Sequence, residues 1–174
     1  MSLYIETVGS GPDLVMLHGW GLHGGLFRPV IESLSQHFTL HLVDLPGHGR
    51  SEMVEGDYTL SNIAKIIADE VPDDVTWLGW SLGGRVALQA AADGAAINKM
   101  ILVGNNPCFV QKDDWPHAMP ENELIQFADS LNNDYKQTLL RFIAVQSRGS
   151  ERGREELREL RAELFDHGNP DPKA

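Results

Sequence analysis

The sequence holds a single cysteine, Cys108, in 174 residues. One thiol excludes an internal disulfide and any site built from several thiolates, and it reads most simply as a buried, unreactive side chain. Positive charge is scarce as well: 14 lysines and arginines stand against 25 aspartates and glutamates, a formal net charge of -11. A surface of that sign repels phosphate backbones, which argues against nucleic acid as a partner unless a local basic patch outweighs it. Long apolar runs are missing too. Residues Met1 to Gly9 contain Glu6 and nothing like the roughly 20 apolar residues of a bilayer span, nor a signal peptide. This predicts a cytoplasmic protein with no membrane partner. The seven histidines show no H-x-x-x-H ligand spacing on a helix, because His37 and His41 span a predicted strand. No metal and no cofactor are therefore expected.

What is present is an ordinary globular composition, 42% hydrophobic and 22% charged, long enough for one sizeable core. Short apolar runs rich in β-branched residues alternate with longer helical patterns, the signature of a mostly parallel sheet with helices on both faces. Leu3 to Val8, Leu14 to Leu17, Phe38 to Val43, Val75 to Leu78 and Met100 to Val103 read as strands. Leu26 to Gln36, Leu60 to Val71 and Leu82 to Ala92 read as helices, the second opened by a Thr59 cap. After Asn105 no strand pattern returns, and Glu121 to Leu131, Tyr135 to Gln146 and Glu151 to Phe165 read as helices. We therefore expect residues 1–107 to form the first part of an α/β core and residues 108–174 a helical cap.

Three glycine-rich turns follow strands. Gly79-Trp80-Ser81-Leu82-Gly83 fits G-x-S-x-G, in which a serine on a strained strand-to-helix turn holds its hydroxyl clear of the backbone. Glycines at 79, 83 and 84 leave room where side chains would strike the neighbouring strand and helix. His18-Gly19-Trp20-Gly21 follows the strand Leu14 to Leu17 and is placed to offer a backbone N–H to the same site. The N–H groups of Leu82 and Trp20 would then stabilise a developing oxyanion, by about 3 kcal/mol each. His18 is expected to bond the loop backbone and not to act as a base. The Trp20 ring either lines an acyl pocket or packs; with Trp80 beside the serine it favours an apolar acyl group. In Asp44-Leu45-Pro46-Gly47-His48-Gly49-Arg50-Ser51, Asp44 and Arg50 are expected to brace a turn, with His48 exposed or bonded to the loop. Asp44 comes too early in the chain order Ser, Asp/Glu, His to be a triad acid. Asn105-Asn106-Pro107-Cys108 follows the last strand and should help shape the pocket.

Taken together, HGWG, DLPGHGRS, GWSLGG and NNPCF resemble the α/β-hydrolase family. GWSLGG, HGWG and the later Arg141-Phe142-Ile143-Ala144-Val145-Gln146 are similar to its carboxylesterases of biotin synthesis, which cleave the methyl ester of pimeloyl-acyl carrier protein to the free acid and methanol and also act on short-chain esters. Tryptophan at position 80, where the wider family has histidine, is a discriminating feature. The resemblance implies an α/β-hydrolase core followed by a helical cap, with Ser81 as nucleophile and Trp20 and Leu82 contacting substrate and oxyanion. It implies that Phe142, Ile143, Ala144, Val145 and Gln146 line an acyl channel, and that Arg141, Arg154 and Arg158 meet the carrier protein. Charge agrees, since residues 141–161 hold six arginines and four glutamates in an otherwise acidic chain, which would steer an acidic carrier. These arginines could equally pair with glutamates on a solvated helix, and position 137 is glutamine where a further basic residue would be expected.

The family's acid and histidine match no residue of this chain, so the triad Asp and His are expected to be absent, and one edge of the sheet exposed. A complete enzyme of this kind would be a monomer without metal or cofactor. Two other readings stay open. One is a serine hydrolase of the same fold acting on a different small ester; the other is a non-catalytic fragment that binds acyl carrier protein.

Overall fold

The computed structural model describes residues 2–146 together with Glu155, Arg158, Arg161, Ala162, Pro170, Asp171 and Ala174. The chain divides into two compact units, Met1–Asn105 with His167–Ala174, and Asn106–Asp166.

The first unit is built on five strands, β1 (Ile5–Gly9), β2 (Asp13–Leu17), β3 (Thr39–Val43), β4 (Val75–Trp80) and β5 (Ile97–Val103), in the order β1-β3-β2-β4-β5. Only β1 runs antiparallel, against β3; the other pairings are parallel. Alternation along β2 divides the core between two faces. Val15 and Leu17 join Val43 and Trp77 beneath α2 (Leu60–Glu70) and α3 (Leu82–Ala92), while Leu14 and Met16 join Leu40, Leu42 and Phe27 on the side of α1 (Arg28–Leu34). Because β2 is buried on both faces, it reads as an unbroken apolar run. Alanines at 64, 87 and 90, all buried, let α2 and α3 lie close together on the sheet.

Helix ends follow local chemistry. Thr59 caps α2, its Oγ1 accepting from the Asn62 N–H at 3.2 Å. The helix expected from Leu26 opens instead as a 3-10 turn, Gly24–Phe27, capped by His23, whose Nδ1 accepts from the Gly25 N–H at 3.1 Å; α1 begins only at Arg28, next to Pro29. β5 starts three residues before the apolar run Met100 to Val103, since the strand continues through Asn98 and Lys99 despite their polarity, Lys99 pairing with Thr76 of β4. At the sheet edge Met100, Ile101, Leu102 and Val103 are 39 to 46% exposed, and no described strand pairs with the outer side of β5.

The second unit holds α4 (Glu121–Asn133) and α5 (Tyr135–Gln146). They are joined through Asp134, whose Oδ1 accepts from the Gln137 N–H at 3.1 Å, and through Thr138, whose hydroxyl donates to the Ser130 carbonyl at 3.0 Å. The rings of Phe127 and Phe142 meet at 5.6 Å. Before α4 lies a feature that apolar patterning missed: Lys112 and Trp115 exchange backbone bonds of 3.1 and 2.9 Å around Asp113-Asp114, and Val110 bridges Met119. Such bridges are too short to leave an alternating signal. The third expected helix, Glu151 to Phe165, falls largely outside the described residues.

Candidate active site

Ser81 stands between β4 and α3 with φ 51° and ψ -113°, one of two non-glycine residues of positive φ among those described. An L-residue held in that region is strained and persists only where its surroundings over-determine it. Here they do. The Ser81 N–H donates to the Val103 carbonyl at 2.9 Å, and its carbonyl accepts from Gly84 N–H at 3.0 Å and from Arg85 N–H at 3.3 Å. A β-carbon on Gly79 would stand 2.5 Å from the Gly84 backbone, and one on Gly83 would overlap the Leu17 carbonyl, so both positions require glycine for space. The hydroxyl is thereby presented at the carboxyl end of the parallel strands, where open α/β sheets place their ligand sites.

The loop after β2 reaches the same place. A β-carbon on Gly19 would meet the Ser81 Cβ at 3.4 Å and the edge of the Trp80 ring at 3.6 Å, which puts the His18 to Gly21 backbone alongside the serine. Leu82, as first residue of α3, has no carbonyl four residues back within the helix for its N–H. Trp20 is half-buried, and its indole N–H donates to the Ala174 carbonyl at 3.3 Å. Trp80 lines an apolar groove of about 350 Å³ with Leu78, Val103, Phe27 and Leu34, on the α1 side of the sheet.

Beneath these turns lies a buried polar network. His18 Nδ1 bonds the Gly19 carbonyl at 2.7 Å, and Nε2 accepts from the Leu45 N–H at 2.8 Å, so both ring nitrogens are committed to backbone. That pairing fixes the neutral tautomer with hydrogen on Nδ1. Burial, reinforced by His48 nearby, lowers the His18 pKa to about 3. Asp44, wholly buried, accepts from the Gly24 N–H at 2.6 Å, from the Arg50 N–H at 2.9 Å and from Arg50 Nε at 2.8 Å. Burial pushes its carboxyl upward, but the bonds from the Arg50 side chain, the Arg50 backbone and Gly24 outweigh that and hold it below the ordinary carboxylate value. Of the two expectations for His48 the loop bond holds and exposure does not: it bonds the Pro46 carbonyl through Nδ1 at 3.0 Å and is fully buried, and burial lowers its pKa. The glycines on either side of it hide its burial from a hydropathy reading.

Of the residues expected in an acyl channel, all lie on α5 in the second unit: Ile143 is buried, Phe142 and Ala144 are half-buried, Val145 is 54% exposed, and Gln146 ends the helix. Arg141 and Arg158 are exposed, and Arg154 falls outside the described residues. Asn105, expected only to shape the site, donates from Nδ2 to the Ser81 carbonyl at 2.9 Å. Among the described residues no cluster of His, Cys, Asp or Glu is placed to hold a metal ion, and no helix is long and apolar enough to cross a membrane.

A mostly parallel sheet, a serine at positive φ between strand and helix, and a glycine-rich loop against it define the α/β-hydrolase fold. Comparison with known proteins agrees: the Alpha/beta hydrolase family profile matches residues 14–170, and the chain belongs to that family. It is 45% identical over 172 residues to the pimeloyl-[acyl-carrier protein] methyl ester esterase of Xanthomonas oryzae pv. oryzae (strain MAFF 311018), covering 99% of this chain and 68% of that protein. Against the esterase of the same description from Xylella fastidiosa (strain M23) the identity is 46% over 159 residues, covering 91% of this chain and 62% of the relative. The chain thus spans about two thirds of the length of the curated relatives it matches. Among solved structures, the esterase EaEST from Exiguobacterium antarcticum superposes with a TM-score of 0.82 at 26% identity, covering 95% of this chain and 65% of that one. A hydrolase from Oleispira antarctica, olei00960, shares the fold with a TM-score of 0.79 at 22% identity, covering 97% and 64%.

Proposed function

We propose that this chain carries the nucleophile and oxyanion loop of a serine carboxylesterase that hydrolyses the methyl ester of pimeloyl-acyl carrier protein to the free acid and methanol, and that also accepts short esters. The observation that supports it most is Ser81 held at φ 51° at the start of α3 against the loop containing Gly19, in a chain 45% identical to esterases described by that substrate. In this reading Ser81 Oγ attacks the ester carbonyl, the N–H groups of Leu82 and Trp20 receive the oxyanion, methanol leaves, and water releases the acid from the acyl-serine. Phe142, Ile143, Ala144, Val145 and Gln146 contact the acyl chain, and Arg141, Arg154 and Arg158 draw in the acidic carrier.

The proton on Ser81 needs an acceptor, and the site supplies none from His18, whose nitrogens are spent on Gly19 and Leu45. A second reading has the chain bind acyl carrier protein without turnover. Hydrolysis of a short aryl ester and of methyl pimeloyl-carrier protein, by the chain beside its Ser81→Ala variant, tests both. Turnover that vanishes with the serine supports the esterase; equal turnover in the two refutes it. Carrier binding that survives Ser81→Ala with no ester cleaved points to the alternative.

A further inference from the structure

Asn105 lies 24 residues beyond Ser81, past the end of β5, yet its side chain returns to the turn that bears the serine. Gly104, at φ +54°, makes the chain bend there. Nδ2 of Asn105 then donates to the Ser81 carbonyl at 2.9 Å, while the Ser81 N–H donates to Val103 at the same distance. Both backbone polar groups of the strained residue are therefore fastened to the short stretch from Val103 to Asn105. The amide also rests flush on α3: a β-carbon on Gly84 would stand 2.6 Å from Asn105 Nδ2 and 2.9 Å from its Cγ. Glycine at 84 is thus required by the Asn105 side chain, whereas glycines 79 and 83 are required by backbone.

We propose that Asn105 is a positioning residue of the esterase site, its amide fixing the strained turn on which the Ser81 hydroxyl is presented. This rests on the esterase reading above for its catalytic consequence, although the mechanical claim stands on geometry alone. The interaction demands a donor. Aspartate has nearly the same shape but would set a charged oxygen against the Ser81 carbonyl, and alanine would leave that carbonyl with its two helix-type bonds only. A turn released at its carbonyl can relax from positive φ, moving Oγ relative to the Gly19 loop. Misplacement of that kind slows attack without weakening substrate binding, so it lowers kcat and spares KM.

The test compares the full chain with Asn105→Asp, Asn105→Ala, Gly84→Ala and the Gly84→Ala/Asn105→Ala double variant. Amide hydrogen exchange is followed at Ser81, Gly84 and Arg85 with the β2 amides as internal reference. Exchange at the three elbow amides is expected to speed by about tenfold in both Asn105 variants while β2 is unchanged. Short-ester turnover, normalised to sites titrated with an organophosphonate, is expected to fall by about tenfold or more in kcat with KM within about twofold. Gly84→Ala should reproduce the loss, and the double variant should lose little more than either change alone, because the two act on one contact. Elbow exchange equal to the parent in Asn105→Asp and Asn105→Ala, or additive losses in the double variant, would overturn the proposal. A parent whose turnover does not depend on Ser81 refutes the esterase reading instead, and the exchange data still decide on Asn105.

Discussion

Mild acid should loosen the first unit well before its carboxylates titrate. His18 is buried with its pKa lowered from 6.5 to about 3, and His48 beside it, rings 5.4 Å apart, is lowered as well. In the unfolded chain both return toward 6.5, so between that value and their folded values the unfolded state binds protons that the folded state refuses. Stability must therefore fall as the pH drops. For one histidine that stays neutral in the fold, going from about pH 7.5 to about pH 5.5 raises its unfolded-state protonation enough to cost about 1.4 kcal/mol. His48 adds in the same direction. Asp44 does not contribute in this window, because its carboxyl is held below its ordinary 3.8 and stays ionised in both states. Urea unfolding followed by tryptophan fluorescence at the two pH values should show the midpoint falling at lower pH, by an amount that His48→Gln reduces. A midpoint that holds steady or rises would show that the histidines are not held neutral and that His18 is not bonded as a neutral ring between Gly19 and Leu45.

Gly83→Ala should cost about 1–3 kcal/mol or prevent folding, because the added methyl overlaps the Leu17 carbonyl in a packed interior, and chemical denaturation beside the parent chain checks it. Ile101→Lys, at a position 46% exposed on the edge of β5 that no described strand pairs, should reduce self-association of the chain with little change in its unfolding midpoint, read by light scattering and urea titration together.

How far the structure could be read in advance varied with the range of the interactions involved. The Thr59 cap, the start of α3 directly after the serine and the apolar run of β2 all follow from residues a few positions apart, and each was legible. The Asp44–Arg50 brace spans six residues and was legible from charge and turn chemistry. The side-chain bond from Asn105 was not. Nothing near Asn105 announces a bond to a carbonyl 24 residues earlier, since the crossover through α3 and β5 sets that distance. Burial of His48 escaped for a related reason: it lies against the His18 ring, remote in sequence, while its own segment is glycine-rich and polar. The small hairpin at Asp113-Asp114 escaped because its pairing is one bridge long.

A histidine and an aspartate beneath a candidate nucleophile invite a catalytic assignment, and the bonding around Asp44 argues against it. Its two oxygens already hold Gly24 N–H, Arg50 N–H and the Arg50 guanidinium, which also lies 3.6 Å over the Tyr4 ring. Three chain segments are tied at one carboxylate: the 3-10 turn after the Gly19 loop, the end of β3 and the turn at Arg50. If Asp44 were a triad acid, Asp44→Asn would leave the fold intact and remove Ser81-dependent turnover. As a brace it predicts the opposite balance. Losing the charge leaves Arg50 largely uncompensated, since its other carboxylate partner among the described residues is Glu6 at 3.7 Å, and lengthens or breaks the backbone bonds. Breaking such a buried pair costs about 3 kcal/mol, while turnover per folded molecule should change by less than about tenfold because no reacting atom is touched. Measuring the unfolding midpoint and the titrated kcat of Asp44→Asn in one preparation separates the two roles, and a stable variant with abolished turnover would return Asp44 to the catalytic machinery.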